Sequence, residues 1–273
     1  MTRAITKAII PVAGWGTRRL PITKTTEKCM LPIGDRPLVD YVVQDCLAAG
    51  ITELIFVVGE DSDQLQSYYR SNIKLNDYLK RNGKADKLPL VAPLSGVKLH
   101  FVTQPSYGKY GTAVPVALAA DFIDEGESAV VLMGDDFIYN EDGSSEVGRL
   151  IAATPDGECG VIAVEVSTED VSRYGVIVKN DDGYYERMVE KPAPEDAPSN
   201  LINPSKYVLT KEVIEMAKTV EADKSGEYYI IDAINNYVQQ GGRVVVHTAV
   251  GQYLDGGNTD GWLHANRVVL GDT

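Results

Sequence analysis

The 273-residue chain predicts an α/β fold, in which a mostly parallel sheet carries helices on both faces. Three observations predict it. Short apolar runs at 8–12, 51–59 and 129–133 are hydrophobic along almost their whole length, as strands buried on both faces must be. Segments of helical period alternate with these runs in the order strand, helix, strand. The chain beyond residue 159 leaves this alternation for hairpin signals, which predicts a mixed insertion in the second half.

The first run, 8–12, feeds the loop Ala13-Gly14-Trp15-Gly16-Thr17-Arg18. Glycines let a backbone come close to a ligand, and successive exposed N–H groups make a concavity for anions. Arg18 and Lys28 would add positive charge for a polyphosphate, the one as a planar fork and the other as a point charge. The loop is neither a P-loop nor a dinucleotide fingerprint, because it lacks Lys-Ser/Thr after a longer glycine spacing and lacks a third glycine opening a helix. Pro37 and Gly50 bracket a helix beginning at Leu38, and 51–59 completes a βαβ unit. Leu65, Tyr68, Tyr69, Ile73, Leu75, Tyr78 and Leu79 recur at helical intervals and predict one or two surface helices between 61 and 87.

A third strand over 97–102 leads to a second glycine loop, 104–111, which opens a helix over 112–123. The strand at 129–133 ends in Gly134-Asp135-Asp136, and a helix follows over 145–153. Next come a strand at 159–166 and a hairpin of 175–179 with 184–190 around Asn180-Asp-Asp-Gly183. A strand at 206–209, helices at 211–220 and 227–239, and a strand at 244–249 lead to Tyr253-Leu254-Asp255, with a last helix over 259–270. Residues 192–204 are the one candidate flexible loop. The pattern is Rossmann-like.

A net charge of −13 argues against a general nucleic-acid surface, since phosphate backbones are held by clustered Lys and Arg. An acidic chain can still hold one nucleotide by concentrating a few cations in a cleft. Cys29, Cys46 and Cys159 show no metal-ligand spacing and read as reduced thiols, and the three histidines read as surface or packing residues. The start of the chain has no apolar leader and no run reaches membrane-spanning length, so the expectation is a cytoplasmic protein with no membrane partner.

Ligands of open α/β sheets sit beyond the carboxyl ends of the strands, which brings 14–18, 104–111 and Asp135–Asp136 to one crevice. Asp135 and Asp255 could close on one hard cation together with phosphate oxygens, or each could simply start a turn. Glu190-Lys191-Pro192 offers a carboxylate for sugar hydroxyls beside an ammonium for a phosphate; the plainer alternative is an exposed charge pair before a loop.

Together these motifs resemble the sugar-1-phosphate nucleotidylyltransferases, and within them the bacterial-type UTP–glucose-1-phosphate uridylyltransferases. The resemblance rests on Ile10-Pro-Val-Ala-Gly-Trp-Gly-Thr-Arg18, Lys28-Cys-Met-Leu-Pro32, Pro37-Leu-Val-Asp-Tyr-Val-Val43, Ala48-Ala-Gly-Ile-Thr-Glu53, Arg173-Tyr-Gly-Val176, Val189-Glu-Lys-Pro192, Ala197-Pro-Ser-Asn200, Asp232-Ala-Ile234 and Asp255-Gly-Gly-Asn258. The segment 61–87 favours the uridylyl-glucose branch. The resemblance implies a GT-A-like nucleotidylyltransferase fold in a single domain, 1–273, with a nucleotide-binding part (1–140) and a sugar-phosphate-binding and C-terminal part (141–273). It implies UTP and glucose 1-phosphate as substrates, Mg²⁺ as cofactor and a homo-oligomer, dimer or tetramer. Ala13, Gly14, Gly16, Thr17, Gln104 and Gly111 would hold the nucleotide, Arg18 the β- and γ-phosphates, and Lys28 the attacking and departing phosphates. Asp135 and Asp255 would carry the metal, Gly175 and Glu190 the sugar, and Lys191 the sugar phosphate.

Three positions depart from the family's pattern. Thr259-Asp260 follows Asn258 where a lysine is usual, Cys29 stands where Glu or Gln is usual, and Ser205 stands where Gly is usual. These departures bear on the identity of the sugar rather than on nucleotidyl transfer; transfer to another sugar 1-phosphate, or use of dTTP in place of UTP, is the rival within the class. A non-catalytic nucleotide-sugar-binding protein is the rival of another class, and the intact Arg18, Lys28, Asp135, Lys191 and Asp255 speak against it. A GT-A glycosyltransferase would show Asp-x-Asp, which Asp135-Asp136-Phe137 does not.

Overall fold

The computed structural model describes residues 4–272. Strand β1 (Lys7–Pro11) is followed by a small hairpin of β2 (Pro32–Ile33) and β3 (Arg36–Pro37), then by α1 (Leu38–Ala48) and β4 (Glu53–Gly59). β1 and β4 pair in parallel from Lys7↔Glu53 to Pro11↔Val57, as the βαβ reading expects. Beyond them lie α2 (Gln64–Tyr69), α3 (Ile73–Arg81), a 3-10 stretch at Ala85–Val91, β5 (Lys98–Gln104), α4 (Ala113–Ala119) and β6 (Ser128–Leu132). β5 joins β4 in parallel and β6 joins the other side of β1 in parallel.

Strand alternation then divides the core between two faces. Ala8, Ile10, Leu54, Phe56 and Val130 point to one face, where Val39, Val42, Val43 and Cys46 of α1 cover them. Ile9, Ile55, Val57 and Val131 point to the other, under Ala113, Val116 and Ala119 of α4. Phe56 is fully buried and stacks against Tyr69 of α2 and Phe101 of β5, so truncation to alanine costs about 3–5 kcal/mol.

The second half comprises β7 (Asp136–Tyr139), α5 (Glu146–Ala153), β8 (Cys159–Glu165), β9 (Gly175–Lys179), β10 (Tyr185–Glu190), β11 (Leu201–Ile202) and β12 (Lys206–Thr210). It ends with α6 (Lys211–Met216), α7 (Ile230–Gln239), β13 (Val244–Thr248), β14 (Gln252–Asp255) and α8 (Thr259–Leu270). β12 lies antiparallel between β6 and β8, β13 pairs in parallel with β8, and β11, β9 and β10 extend the sheet. The ten-stranded sheet is thus parallel in its first half and mixed in its second.

Four details differ from expectation. Asp136 opens a new strand instead of ending one, because β7 and β14 pair as a separate antiparallel ribbon with Asp255 opposite Asp136. The helix expected over 211–220 stops at Met216. The helix expected from 227 starts at Ile230, because Tyr228 exchanges backbone hydrogen bonds with Tyr110 and Ala113. The segment expected as a flexible loop, 192–204, contains β11 and is tied to β9 by a 2.7 Å bond from Ser199 Oγ to the Ile177 carbonyl. Among the described residues no helix is long and apolar enough to cross a membrane.

Candidate active site

The carboxyl ends of β1, β4, β5 and β6 open into one cleft of about 740 Å³. Ala13, Gly14, Gly16, Thr17, Arg18, Lys28, Gln104, Gly111 and Asp135 all line it. A side chain added at Gly14 would meet nothing within 4 Å, so the loop's backbone is open to a ligand there. Gly16 has a different reason to be glycine: its φ is +63°, and a Cβ would press on Thr23 and Lys28. At Gly111 (φ +122°) a Cβ would collide with the backbone of Tyr228, so this glycine admits the chain entering α7.

At the floor of the cleft, Lys28 forms an ion pair with Asp135. Burial pushes the Asp135 carboxyl up, but Lys28, Lys206 and Arg18 together hold it below the usual carboxylate range. Asp255 accepts hydrogen bonds from the Gly257 backbone (2.6 Å) and from Asn258 Nδ2 (2.8 Å), which fixes its orientation. A methyl group on Gly257 would sit 2.7 Å from Asp255 Oδ1, 3.4 Å from Lys28 Nζ and 3.7 Å from an Arg18 nitrogen. Arg18, Lys28 and Asp255 therefore converge on the bare backbone of Gly257, with Asp135 on Lys28. Among the described residues no group of three or more His, Cys, Asp or Glu is arranged as a metal cage. Two oriented carboxylates suit a hard divalent ion whose remaining ligands are phosphate and water.

The sequence brought Asp136 to the crevice beside Asp135, but Asp136 does not line the cleft; it belongs to a bracing group whose other members, Lys206 and Tyr253, sequence reasoning passed over. Asp136 pairs with the buried Lys206 of β12 and accepts a hydrogen bond from Tyr253 (3.0 Å). Burial lifts its carboxyl to about 6 against the pull of Lys206, with Asp135 and Asp255 adding to the rise. The available signal was a lysine at the head of the otherwise apolar strand Lys206-Tyr-Val-Leu209. Cys29 is buried and its thiol is pushed up by desolvation, so it reads as packing; all three cysteines are free.

The expected sugar side does not line the cleft. Gly175 and Glu190 pair across the β9–β10 hairpin, and Lys191 Nζ lies 3.5 Å from Glu190 with both side chains exposed. The connection to the floor runs through aromatic rings. Lys191 N donates to the Tyr174 carbonyl (3.0 Å), and Tyr174 meets Tyr253 edge-on at 6.2 Å.

A mostly parallel sheet that gathers cations and carboxylates beyond its strand ends defines an α/β protein built to handle a polyphosphate. The chain belongs to the nucleotidyl transferase family, whose sequence profile matches residues 7–271. It is 36% identical over 271 residues to the UTP–glucose-1-phosphate uridylyltransferase of Streptococcus pneumoniae serotype 4, covering 96% of this chain and 89% of that one. A UTP-bound UGPase from Acinetobacter baumannii superposes with a TM-score of 0.86 at 27% identity, over 97% of this chain and 93% of the other. A UDP-glucose pyrophosphorylase complexed with UDP-glucose gives 0.82 at 30% identity, over 99% and 100%.

Proposed function

We propose that this protein transfers a uridylyl group from UTP to glucose 1-phosphate, giving UDP-glucose and pyrophosphate. The observation that carries the reading is the convergence on Gly257 of Asp255 with Arg18 and Lys28, the latter two lining a cleft large enough for a nucleotide, whereas Asp255 and Gly257 lie behind its lining. The names of the relatives support the choice of substrates. A phosphate monoester is already largely dianionic near neutral pH, so no protein nucleophile is needed, and positioning and charge neutralisation are the main tasks.

In this reading the open backbone at Ala13 and Gly14, with Gln104, holds the base. The Gln104 amide can both accept from and donate to the imide edge of uracil. Thr17 and Arg18 hold the outer phosphates, Lys28 lies between the attacking and departing groups, and Gly175, Glu190 and Lys191 receive the sugar phosphate. A sugar-phosphate oxygen attacks the α-phosphorus as the bond to the bridging oxygen breaks and pyrophosphate leaves. Asp135 and Asp255 would hold Mg²⁺, which when bound neutralises phosphate charge. Lys28 now neutralises Asp135, and its ammonium would be freed for phosphate once a cation takes its place.

The test is pyrophosphate release from four nucleoside triphosphates against a panel of sugar 1-phosphates. Release that requires Mg²⁺, UTP and glucose 1-phosphate together is expected, and Asp135→Ala should abolish it. Release with no pair would sink the reading. Preference for another sugar 1-phosphate would shift it to a different sugar, the part of the reading that the Thr259-Asp260 departure bears on, and preference for dTTP would shift it to thymidylyl transfer.

A further inference from the structure

We propose that a cavity beside Arg19, at the start of α8, is a second anion site that takes a phosphate group outside the nucleotide cleft. Arg18 and Arg19 share one short turn (Thr17–Arg19), yet they serve different cavities. Arg18 lines the cleft, whereas Arg19 lines a separate cavity of about 380 Å³ with Leu20, Pro21, Ile22, Thr25 and Thr259. Of these residues only Thr25 borders both.

Arg19 is 8% exposed, and its Nε and Nη1 are buried with no hydrogen-bond partner. No acidic side chain among the described residues pairs with it. A guanidinium stays protonated under all ordinary conditions, so burying one without an anion is costly. Trp262 of α8 meets one face of the group 5.0 Å from the ring centroid and recovers part of that cost. Stacking occupies a face and leaves the in-plane edge, the edge with which arginine grips phosphate through two parallel bonds.

A second feature lies at the same place. Thr259 is the first residue of a twelve-residue helix, so the cavity faces the positive end of α8. Asp260, the acidic residue of that first turn, does not line the cavity. An unpaired buried cation, a helix N-terminus and a hydroxyl therefore bound a space roomy enough for a phosphate. Orthophosphate and pyrophosphate share the required chemistry. Because Arg19 sits in the turn that carries Arg18, an anion here would brace that turn from behind.

The site does not depend on the nucleotide reading, and the test keeps the two apart. Inorganic phosphate, and in a parallel arm pyrophosphate, is titrated calorimetrically into the protein with and without saturating UTP. The expected result is a binding event that persists in UTP and weakens about tenfold or more in R19M, the worth of a charge-assisted pair. T259D should weaken it similarly, and since Thr259 is exposed this variant leaves the core undisturbed. Persistence with one anion alone assigns the site to that anion. The proposal is overturned if all phosphate binding disappears in UTP, or if both variants bind as the parent does. Failure of UTP to bind would count against the uridylyl reading, while the phosphate arms without UTP still decide the Arg19 site.

Discussion

Two residues of the sugar side carry backbone strain. Lys191 and Ser205 are the non-glycine residues with positive φ among those described, at 43° and 55°. The left-handed conformation costs a side-chain-bearing residue about 1 kcal/mol, and Lys191 also precedes a proline, which restricts it further. Such strain persists where surrounding bonds impose it. Lys191 N is held by the Tyr174 carbonyl and Ser205 N by Asn203 Oδ1 at 2.9 Å. Ser205→Gly should therefore raise stability by about 1 kcal/mol, read as a higher urea midpoint; a lower midpoint would show that the hydroxyl contributes more than the strain costs. Lys191→Ala should raise KM for glucose 1-phosphate about tenfold or more while leaving that for UTP nearly unchanged. If neither kinetic parameter moved, the assignment of Lys191 would fail. The sequence motif around Lys191 singled out the charge pair but not its left-handed backbone, which a hydrogen bond from another element imposes.

Between elements, the turn that bears Lys28 is latched to α2. Glu27 accepts from Ser62 Oγ (2.7 Å) and from the backbone N–H groups of Asp63 (3.0 Å) and Gln64 (2.8 Å). Gln64 returns the grip, accepting from Glu27 N (2.9 Å) and donating to the Thr25 carbonyl (2.8 Å). A carboxylate on the first N–H groups of a helix satisfies donors that the helix itself cannot. Glu27→Ala should release the turn and lower kcat about tenfold through misplacement of Lys28, with the fold retained by circular dichroism. Wild-type kcat would show that the turn holds without the latch. Helical spacing made the helices of 61–87 legible, since their apolar faces repeat. Their attachment to Glu27 was not legible, because a lone carboxylate has no periodicity. The β7–β14 ribbon was hidden for a related reason: its strands are four residues each and lie 113 positions apart even in the pairing nearest in sequence, Gln252 with Tyr139, which arises only once the intervening chain has folded.

Across the whole molecule, Glu146 ties α5 to the chain linking β13 and β14. Its fully buried side chain meets His247 (2.8 Å), the backbone N–H groups of Val250 (3.2 Å) and Gly251 (3.0 Å), and Arg149 (2.9 Å). Burial alone would raise this carboxyl, yet these donors hold it down at about 2 against an ordinary 4.5. Because the folded value lies below the unfolded one, the stabilisation is present above about pH 4.5 and is lost as pH falls towards 2. Glu146→Gln should cost roughly 2–4 kcal/mol at pH 7, with the gap to the parent closing over that acid window in urea melts. A gap independent of pH would refute the role. The alternation of apolar runs made both faces of the sheet legible. A buried acid amid hydrophobic residues of α5 was not, since all its partners but Arg149 lie about a hundred residues away.

The position of β12 has a consequence for how the chain is made. β12 fills the gap between β6 and β8, although it is synthesised after both. Until residue 210 has emerged, the inner edges of both strands carry unpaired backbone groups amid mostly apolar side chains, the kind of edge that templates association with another chain. Residues 4–140 should then not fold as an independent unit. A fragment ending at residue 140 should aggregate when expressed alone, and supplying 141–273 in trans should restore solubility by donating β12.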